Sequence, residues 1–454
     1  MAWGAQRTGF RYVAINWHLK PEEIGYIIEN SGARALITSV AQSVSVGGLT
    51  PNIPALRISV DGRVDGCENY EEMLATVAEG ALPDLWNVEG TEMLYSSGTT
   101  GRPKGIRKPL TAAPPGDPNI RQVKIAEGSR QRYGLNSESV YLVPGPLYHG
   151  APLIASMSVL RIGAKVIVMN RFDAAECLSL IERYKVTHAQ FVPTMFVRML
   201  QLPAEIRDSY DVSSLRCVIH AAAPCPVPVK RQIIDWFGPI VWEYYSGTED
   251  IGGTAIQSSE WLARPGSVGR AQPGNVIHIL DEDDKELPCG EQGRIFIEGG
   301  DRYDYHGEPE KTASIESIQG WRTLGDIGYL DEEGFLFLTD RATNMIVSGG
   351  VNIYPQEVEN LLASFPGIVD VAVIGVPNEE FGEEVRAVVQ AADSVVAGPE
   401  FAQRIISHCR EHLAHYKCPK TVDFVDELPR EANGKLYKRR LKEIYWGDRV
   451  SRIV

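Results

Sequence analysis

The stretch Tyr95-Ser-Ser-Gly-Thr-Thr-Gly-Arg-Pro-Lys-Gly105 gathers groups that bind phosphate: three glycines (Gly98, Gly101, Gly105), four hydroxyls (Ser96, Ser97, Thr99, Thr100) and Lys104. Glycine lets the backbone take positive φ and approach a ligand closely. Successive main-chain N–H groups and Ser or Thr hydroxyls then line a concavity suited to an anion. Lys104 is expected as a mobile point charge on this turn. A P-loop needs G-x-x-x-x-G-K-[ST], whereas here Pro103 separates Gly101 from the lysine and Gly105 follows it, which disfavours a P-loop kinase or GTPase. An arbitrary Gly/Ser/Thr run is more often a solvent-exposed linker, but the order of this one argues for a cradle.

Further along, Tyr244-Tyr-Ser-Gly-Thr-Glu-Asp250 follows an apolar run, so an aromatic ring and a carboxylate project where a strand ends. Adenine can stack on Tyr245. Glu249 can hold Mg²⁺, which prefers carboxylate and phosphate oxygens. Alone, such a motif is more often a turn. Gly320-Trp-Arg-Thr-Leu-Gly-Asp-Ile-Gly-Tyr329 sets Asp326 between glycines, where an acid commonly makes local hydrogen bonds. Pro146-Leu-Tyr-His-Gly150 puts His149 at a strand end, as often packed as chemical. Ala221-Ala-Ala-Pro224 offers only small side chains and no Lys or Arg for a second carboxylate. Ser348-Gly349-Gly350 suits close backbone approach or a plain hairpin bend, and Pro429-Arg-Glu-Ala-Asn-Gly-Lys435 is a polar loop ending in lysine.

The elements that must position these residues are legible as alternating apolar runs and helical stretches. A strand running into a turn is expected over residues 11–19, then a helix from Pro21 with proline and acids in its first turn, and a strand at 35–38. Between 140 and 245 strands at 140–143, 165–169, 189–192, 215–220 and 240–244 alternate with helices, which argues for a mainly parallel, doubly wound sheet. Ligands of such sheets sit at the carboxyl ends of strands, where His149, the 221–224 segment and the 245–249 segment fall. After Gly266 the pattern changes to antiparallel hairpins in a smaller barrel-like unit, closed by residues 334–341. A compact α+β unit follows, with helices at 355–364 and 401–412 and strands at 369–375, 385–391 and 421–425. The fold class is therefore α/β, with a large domain over 1–341 and a small mobile domain over 342–454.

Composition narrows the function. The 454 residues suffice for about three units of ~150 residues. A net charge of −14 disfavours nonspecific nucleic-acid binding, since most of the surface would repel phosphates. Seven cysteines without a C-x-x-C pair suggest neither a disulfide framework nor a zinc site, and reduced cytoplasm is the natural location. The most apolar stretch, 151–170, is broken by Arg161 and Lys165, so no spanning helix is expected.

Taken in order, these motifs resemble those of the adenylate-forming superfamily of acyl-CoA synthetases, luciferases and peptide-synthetase adenylation domains. That resemblance covers nearly the whole chain from Arg11 onward and implies a role for each motif. Ser96, Ser97, Gly98, Thr99, Thr100, Gly101 and Lys104 would bind ATP phosphates, with Thr99 and Lys104 also catalytic. Ala223, Pro224, Tyr245, Ser246, Gly247 and Thr248 would surround AMP, and Glu249 would hold the metal. Asp326 would accept hydrogen bonds from the ribose hydroxyls, and Arg341 would reach ribose or phosphate. His149, Ala221 and Ala222 would line an apolar acyl pocket. Ser348, Gly349 and Gly350 would run beside the pantetheine arm of coenzyme A, Thr343 would lie at the hinge, and Lys435 would be the catalytic lysine. The family commonly has Asp or Lys where Thr343 stands, and it carries more chain before Arg11, so the amino end looks truncated. The implied activity is an ATP- and Mg²⁺-dependent acyl-CoA synthetase acting on a fatty, aryl or sterol-side-chain acid in lipid metabolism. A carrier-protein-loading adenylating enzyme and a nucleotide-binding protein without turnover are the alternatives. The expected partners are small molecules, and a homo-oligomer is compatible with the sequence.

Overall fold

The computed structural model describes residues 1–43, 54–77, 88–96, 103–341, 344–348, 351–378, 380–430 and 436–447. It divides into one unit of Met1–Ser139, Pro146–Val166 and Asp301–Ser314, and a second of Val140–Gly145, Ile167–Gly300 and Ile315–Val454.

In the first unit, helix Pro21–Ser31 starts where expected, with Pro21 at its first turn, Glu22 and Glu23 beside the positive end of its dipole, and Gly32 in the left-handed conformation as its stop. Strand Ala35–Ser39 pairs in parallel with Leu56–Val60. Of the strand expected to run into a turn over 11–19, the turn forms, with the Leu19 N–H donating to the Asn16 carbonyl at 3.2 Å, while among the described residues the strand part makes an isolated bridge from Tyr12 to Glu92. At that bridge Glu92 is buried against Arg121 and Lys108, and Gln122 and Thr91 bond within the same group. Burial pushes the Glu92 carboxyl up, but the two cations outweigh it and hold it below the ordinary value.

The second unit is built on ten of the eleven strands of the main sheet. Strands Val140–Val143, His188–Phe191, Cys217–His220 and Val241–Tyr245 lie side by side in parallel. Thr254–Gln257, Ser267–Ala271, Leu336–Arg341, Asp326–Leu330, Gly293–Glu298 and Val276–Leu280 continue the sheet antiparallel. The hairpins after Gly266 thus extend the main sheet through Ser267–Ala271. Helices Ala174–Tyr184, Pro193–Leu200 and Val227–Phe237 cover it, burying Leu178, Ile181, Phe196, Met199 and Ile233 against Leu142, Phe191, Val218 and Val241. Full burial of each such side chain contributes about 1.5–3 kcal/mol.

The carboxyl-terminal part of this unit has its own five-stranded sheet, in the order Val351–Ile353, Ile346–Ser348, Gly382–Ala391, Ile368–Asn378, with Thr421–Phe424 joining Gly382–Ala391 in parallel. Helices Pro355–Leu362 and Pro399–His412 pack Val358, Leu362, Phe401, Ile405 and Cys409 onto one face. Helix Lys438–Trp446 packs Leu441 against Ala372, Ile374 and Val388. The strands run longer than their apolar cores suggested, because residues 376–378 pair across a hairpin with 382–384. The proposed domain boundary falls at the end of strand Leu336–Arg341, and Thr343 lies outside the described residues. All seven cysteines are free. Among the described residues no helix is long and apolar enough to cross a membrane.

Candidate active site

Strand Val241–Tyr245 and its neighbour Thr254–Gln257 pair antiparallel, with Tyr245 opposite Thr254. The motif expected to bind nucleotide is the loop between them. Its return is tight: a Cβ at Gly253 would stand 1.9 Å from the Tyr245 carbonyl oxygen, so only glycine fits. The Ser246 hydroxyl donates to the Gly252 carbonyl at 2.9 Å, closing the loop, and Asp250 takes a positive φ of 58° at its turn.

A second loop meets this one. A Cβ at Gly247 would lie 2.6 Å from Leu324 Cδ2 and 2.7 Å from Glu249 Oε2, so the missing side chain admits both Leu324 and the carboxylate. Two residues beyond Leu324, Asp326 accepts a 2.7 Å hydrogen bond from the Tyr245 hydroxyl and is 7% exposed. Asp326 also stands opposite Arg341 in the register of two adjacent strands. Tyr245, Glu249, Asp326 and the backbone of Arg341, separated by up to 96 positions in sequence, are thereby brought to one end of the sheet. Thr248 and Glu249, both half-buried, offer oxygen donors of the kind Mg²⁺ takes.

The segment at 221–224 leaves the neighbouring parallel strand. Ala221 is 5% exposed, while Ala222 is exposed and left-handed at φ 74°. Ala223 is half-buried and Pro224 exposed. Below both loops lies a network that the motifs did not indicate. Glu243, register partner of His220, forms a buried ion pair with Lys230 from helix Val227–Phe237, and His220 Nε2 lies 3.6 Å from Glu243 Oε2. Lys230 also sits 4.7 Å over the Trp261 ring. Burial pushes the Glu243 carboxyl up against the opposing pull of Lys230. Burial first, then Lys230, holds His220 well below its usual value. A sequence signal existed: Lys230 falls on the apolar stripe of Val229, Ile233 and Ile234, and Glu243 interrupts an apolar strand.

In the first unit, the glycine-rich stretch is flanked by paired strands, Leu94–Ser96 and Lys104–Arg107, with Ser96 opposite Lys104. Ser97, Gly98, Thr99, Thr100 and Gly101 lie outside the described residues. Lys104, expected as a mobile charge on the turn, is the first residue of its strand, 5% exposed, with Nζ 5.7 Å over the Tyr305 ring. Gly105 is required by packing, because a Cβ would meet Tyr95 Cζ at 2.9 Å. His149 precedes helix Gly150–Ile162, half-buried, with its ring 4.6 Å from that of Tyr148.

In the carboxyl-terminal part, Ser348 pairs with Val351, and Gly349 and Gly350 between them lie outside the described residues, as does Lys435. Arg430 forms a bridge with Leu436 and grips Asp370 through two hydrogen bonds of 2.5 and 2.7 Å.

Comparison with known proteins accounts for both parts of the chain. Residues 1–301 match the family model of the AMP-binding enzymes, and residues 357–435 match that of the AMP-binding enzyme C-terminal domain. The chain is 32% identical, over 97% of its length and 85% of the relative's, to the 3-[(3aS,4S,7aS)-7a-methyl-1,5-dioxo-octahydro-1H-inden-4-yl]propanoyl:CoA ligase of Rhodococcus jostii. It is 31% identical, over 98% of its length and 85% of the relative's, to the long-chain-fatty-acid–CoA ligase FadD13 of Mycobacterium tuberculosis. Among solved structures, ATP-bound MatB from Rhodopseudomonas palustris superposes with a TM-score of 0.80 at 28% identity, covering 97% of this chain and 84% of MatB.

Proposed function

Because the chain belongs to the AMP-binding enzyme family, we propose that it is an ATP-dependent acyl-CoA synthetase, an acid–thiol ligase that activates an apolar carboxylic acid. The carboxylate oxygen attacks the α-phosphorus of ATP, forming an acyl–phosphate bond as the bond to pyrophosphate breaks. The thiol sulfur of coenzyme A then attacks the acyl carbon, forming the thioester as AMP leaves and the thiol proton passes to solvent.

The observation that carries this reading is the Tyr245–Asp326 hydrogen bond at 2.7 Å, which joins the aromatic ring suited to adenine with the carboxylate suited to ribose. A bonded, buried carboxylate is held in one orientation before substrate arrives, which lowers the cost of positioning the nucleotide. Mg²⁺ held by Glu249 would neutralise phosphate charge when bound. Lys435 opposes charge on the α-phosphate in the first step, and the 348–350 segment accompanies the thiol arm in the second. The small side chains at 221–223 fit an apolar acyl group of the fatty, aryl or sterol-side-chain classes, and the relative FadD13 is named for a long-chain fatty acid. A cytoplasmic place in lipid metabolism agrees with free thiols and these substrates.

Two measurements test the reading. Pyrophosphate exchange over a panel of fatty, aromatic and bicyclic acids should show exchange with at least one class; ATP binding without exchange for any acid would refute turnover. Lys435→Ala should lower acyl-adenylate formation about 10²–10³-fold while sparing thioester formation from supplied acyl-adenylate. Equal loss of both half-reactions would remove Lys435 from the first step.

A further inference from the structure

Helix Pro399–His412 carries His408, Glu411 and His412 on one side of its last turn, at spacings i, i+3 and i+4. One ligand atom from each lies within 4.8 Å of the others. None of the three is among the nucleotide, acyl or thiol residues. We propose that they bind one divalent transition-metal ion of the Zn²⁺ or Ni²⁺ class, through two imidazole nitrogens and a carboxylate oxygen.

The donor set selects the class. Imidazole suits Zn²⁺, Ni²⁺ and Cu²⁺, while Mg²⁺ and Ca²⁺ prefer oxygen alone. His412 is already oriented: its Nδ1–H donates to the His408 carbonyl at 2.9 Å, which fixes the tautomer in which Nε2 holds the lone pair. The His408 ring is packed 4.9 Å from the Phe365 ring and 4.3 Å from that of His412, so it loses little freedom on binding. The site lies at the negative end of a helix dipole, which favours a cation. Arg404, one turn earlier, is an opposing charge, but its guanidinium sits over the Phe365 and Phe401 rings at 5.9 and 5.6 Å.

Three ligands from one helical turn leave the remaining positions to water. They converge only when that turn is helical, so the metal staples the end of the helix and stabilises the folded state over the unfolded one. The test is calorimetric titration of the full-length protein with Zn²⁺, and separately Ni²⁺, on the wild type, Glu411→Gln and the double variant His408→Ala/His412→Ala. The wild type should bind one equivalent more than the double variant, and Glu411→Gln should weaken that equivalent about tenfold. Added Zn²⁺ should raise the wild-type Tm by more than that of the double variant. Equal stoichiometry and equal Tm shifts in the two proteins would overturn the site, as would Mg²⁺ occupying it as tightly as Zn²⁺.

Discussion

Two buried lysine–glutamate pairs do different work in this chain. In the main sheet Lys230 pairs with Glu243 beside His220, at 1% and 6% side-chain exposure. In the carboxyl-terminal sheet Lys438 pairs with Glu359 at 2.8 Å, both at 9%. The first pair has a third titratable group and lies directly beneath the strand ends that carry Ala221 and Tyr245. The second has a backbone partner instead, since Glu359 accepts the Val373 N–H at 2.6 Å, and it ties helices Pro355–Leu362 and Lys438–Trp446 to a strand. A buried charge keeps its partner because removal leaves an uncompensated ion, and here one such constraint fixes a site while the other fixes a scaffold.

Breaking each pair in turn separates the two roles and has the largest expected effect. Lys230→Met should destabilise the fold by about 3–5 kcal/mol, because Glu243 is then left buried without its cation. Lys438→Met should cost less, about 2 kcal/mol, because Glu359 keeps its N–H partner. Denaturant unfolding measures both. Adding Glu243→Leu to Lys230→Met should recover most of the loss, since removing both charges avoids the stranded ion. Equal costs for the two lysines would mean that the third group and deeper burial of the first pair are immaterial.

A pH series sharpens the same contrast at smaller scale. His220 has a native pKa well below the ordinary 6.5, from burial and then Lys230. As pH falls below about 6.5 the unfolded chain takes up a proton that the native state refuses, so stability falls by up to ~1.4 kcal/mol per pH unit. Glu243, pushed upward, opposes this: between the ordinary carboxylate value and its native one, the native state binds the extra proton. The contribution of His220 is therefore read as the difference between wild type and His220→Leu. Lys438→Met should keep the wild-type slope between pH 6.5 and 5, and His220→Leu should lose the acid-destabilising part. Parallel curves for wild type and His220→Leu would place His220 outside the linkage.

These two networks also mark where sequence reasoning reached and where it stopped. The parallel strands and the loops at 221–224 and 245–249 were legible because apolar periodicity and glycine placement are local signals, whereas the order of the strands in the sheet was not. The hydrogen bond from Tyr245 to Asp326 spans 81 positions and rests on strand register, which no local pattern encodes. Lys230 and Glu243 were visible only as misplaced charges in apolar segments. Over 11–19 the turn was legible and the ladder was not: the apolar residues suggested a strand, whereas among the described residues the pairing is one bridge from Tyr12 to Glu92, a matter of distant chain position rather than local pattern.

The smallest effect tests whether the first network holds strain as well as position. Ala222 adopts φ 74° two residues after His220, and a left-handed conformation costs a residue with a Cβ about 1–2 kcal/mol. Such strain persists only where surrounding structure enforces it. Ala222→Gly removes the clash but gives the unfolded chain more freedom, worth about 0.4–1 kcal/mol, so the net gain should stay below ~1 kcal/mol. Because the methyl of Ala222 is exposed, little packing is lost with it. Ala221→Gly, on the buried neighbour, should only destabilise. The decisive comparison repeats Ala222→Gly in the Lys230→Met background. If the Lys230–Glu243 pair enforces the turn, the loop relaxes once the pair is broken, and the benefit of glycine shrinks by more than about 0.5 kcal/mol, beyond the scatter expected for independent sites. An identical gain in both backgrounds would assign the strain to the loop itself and leave the network the task of joining the two strands.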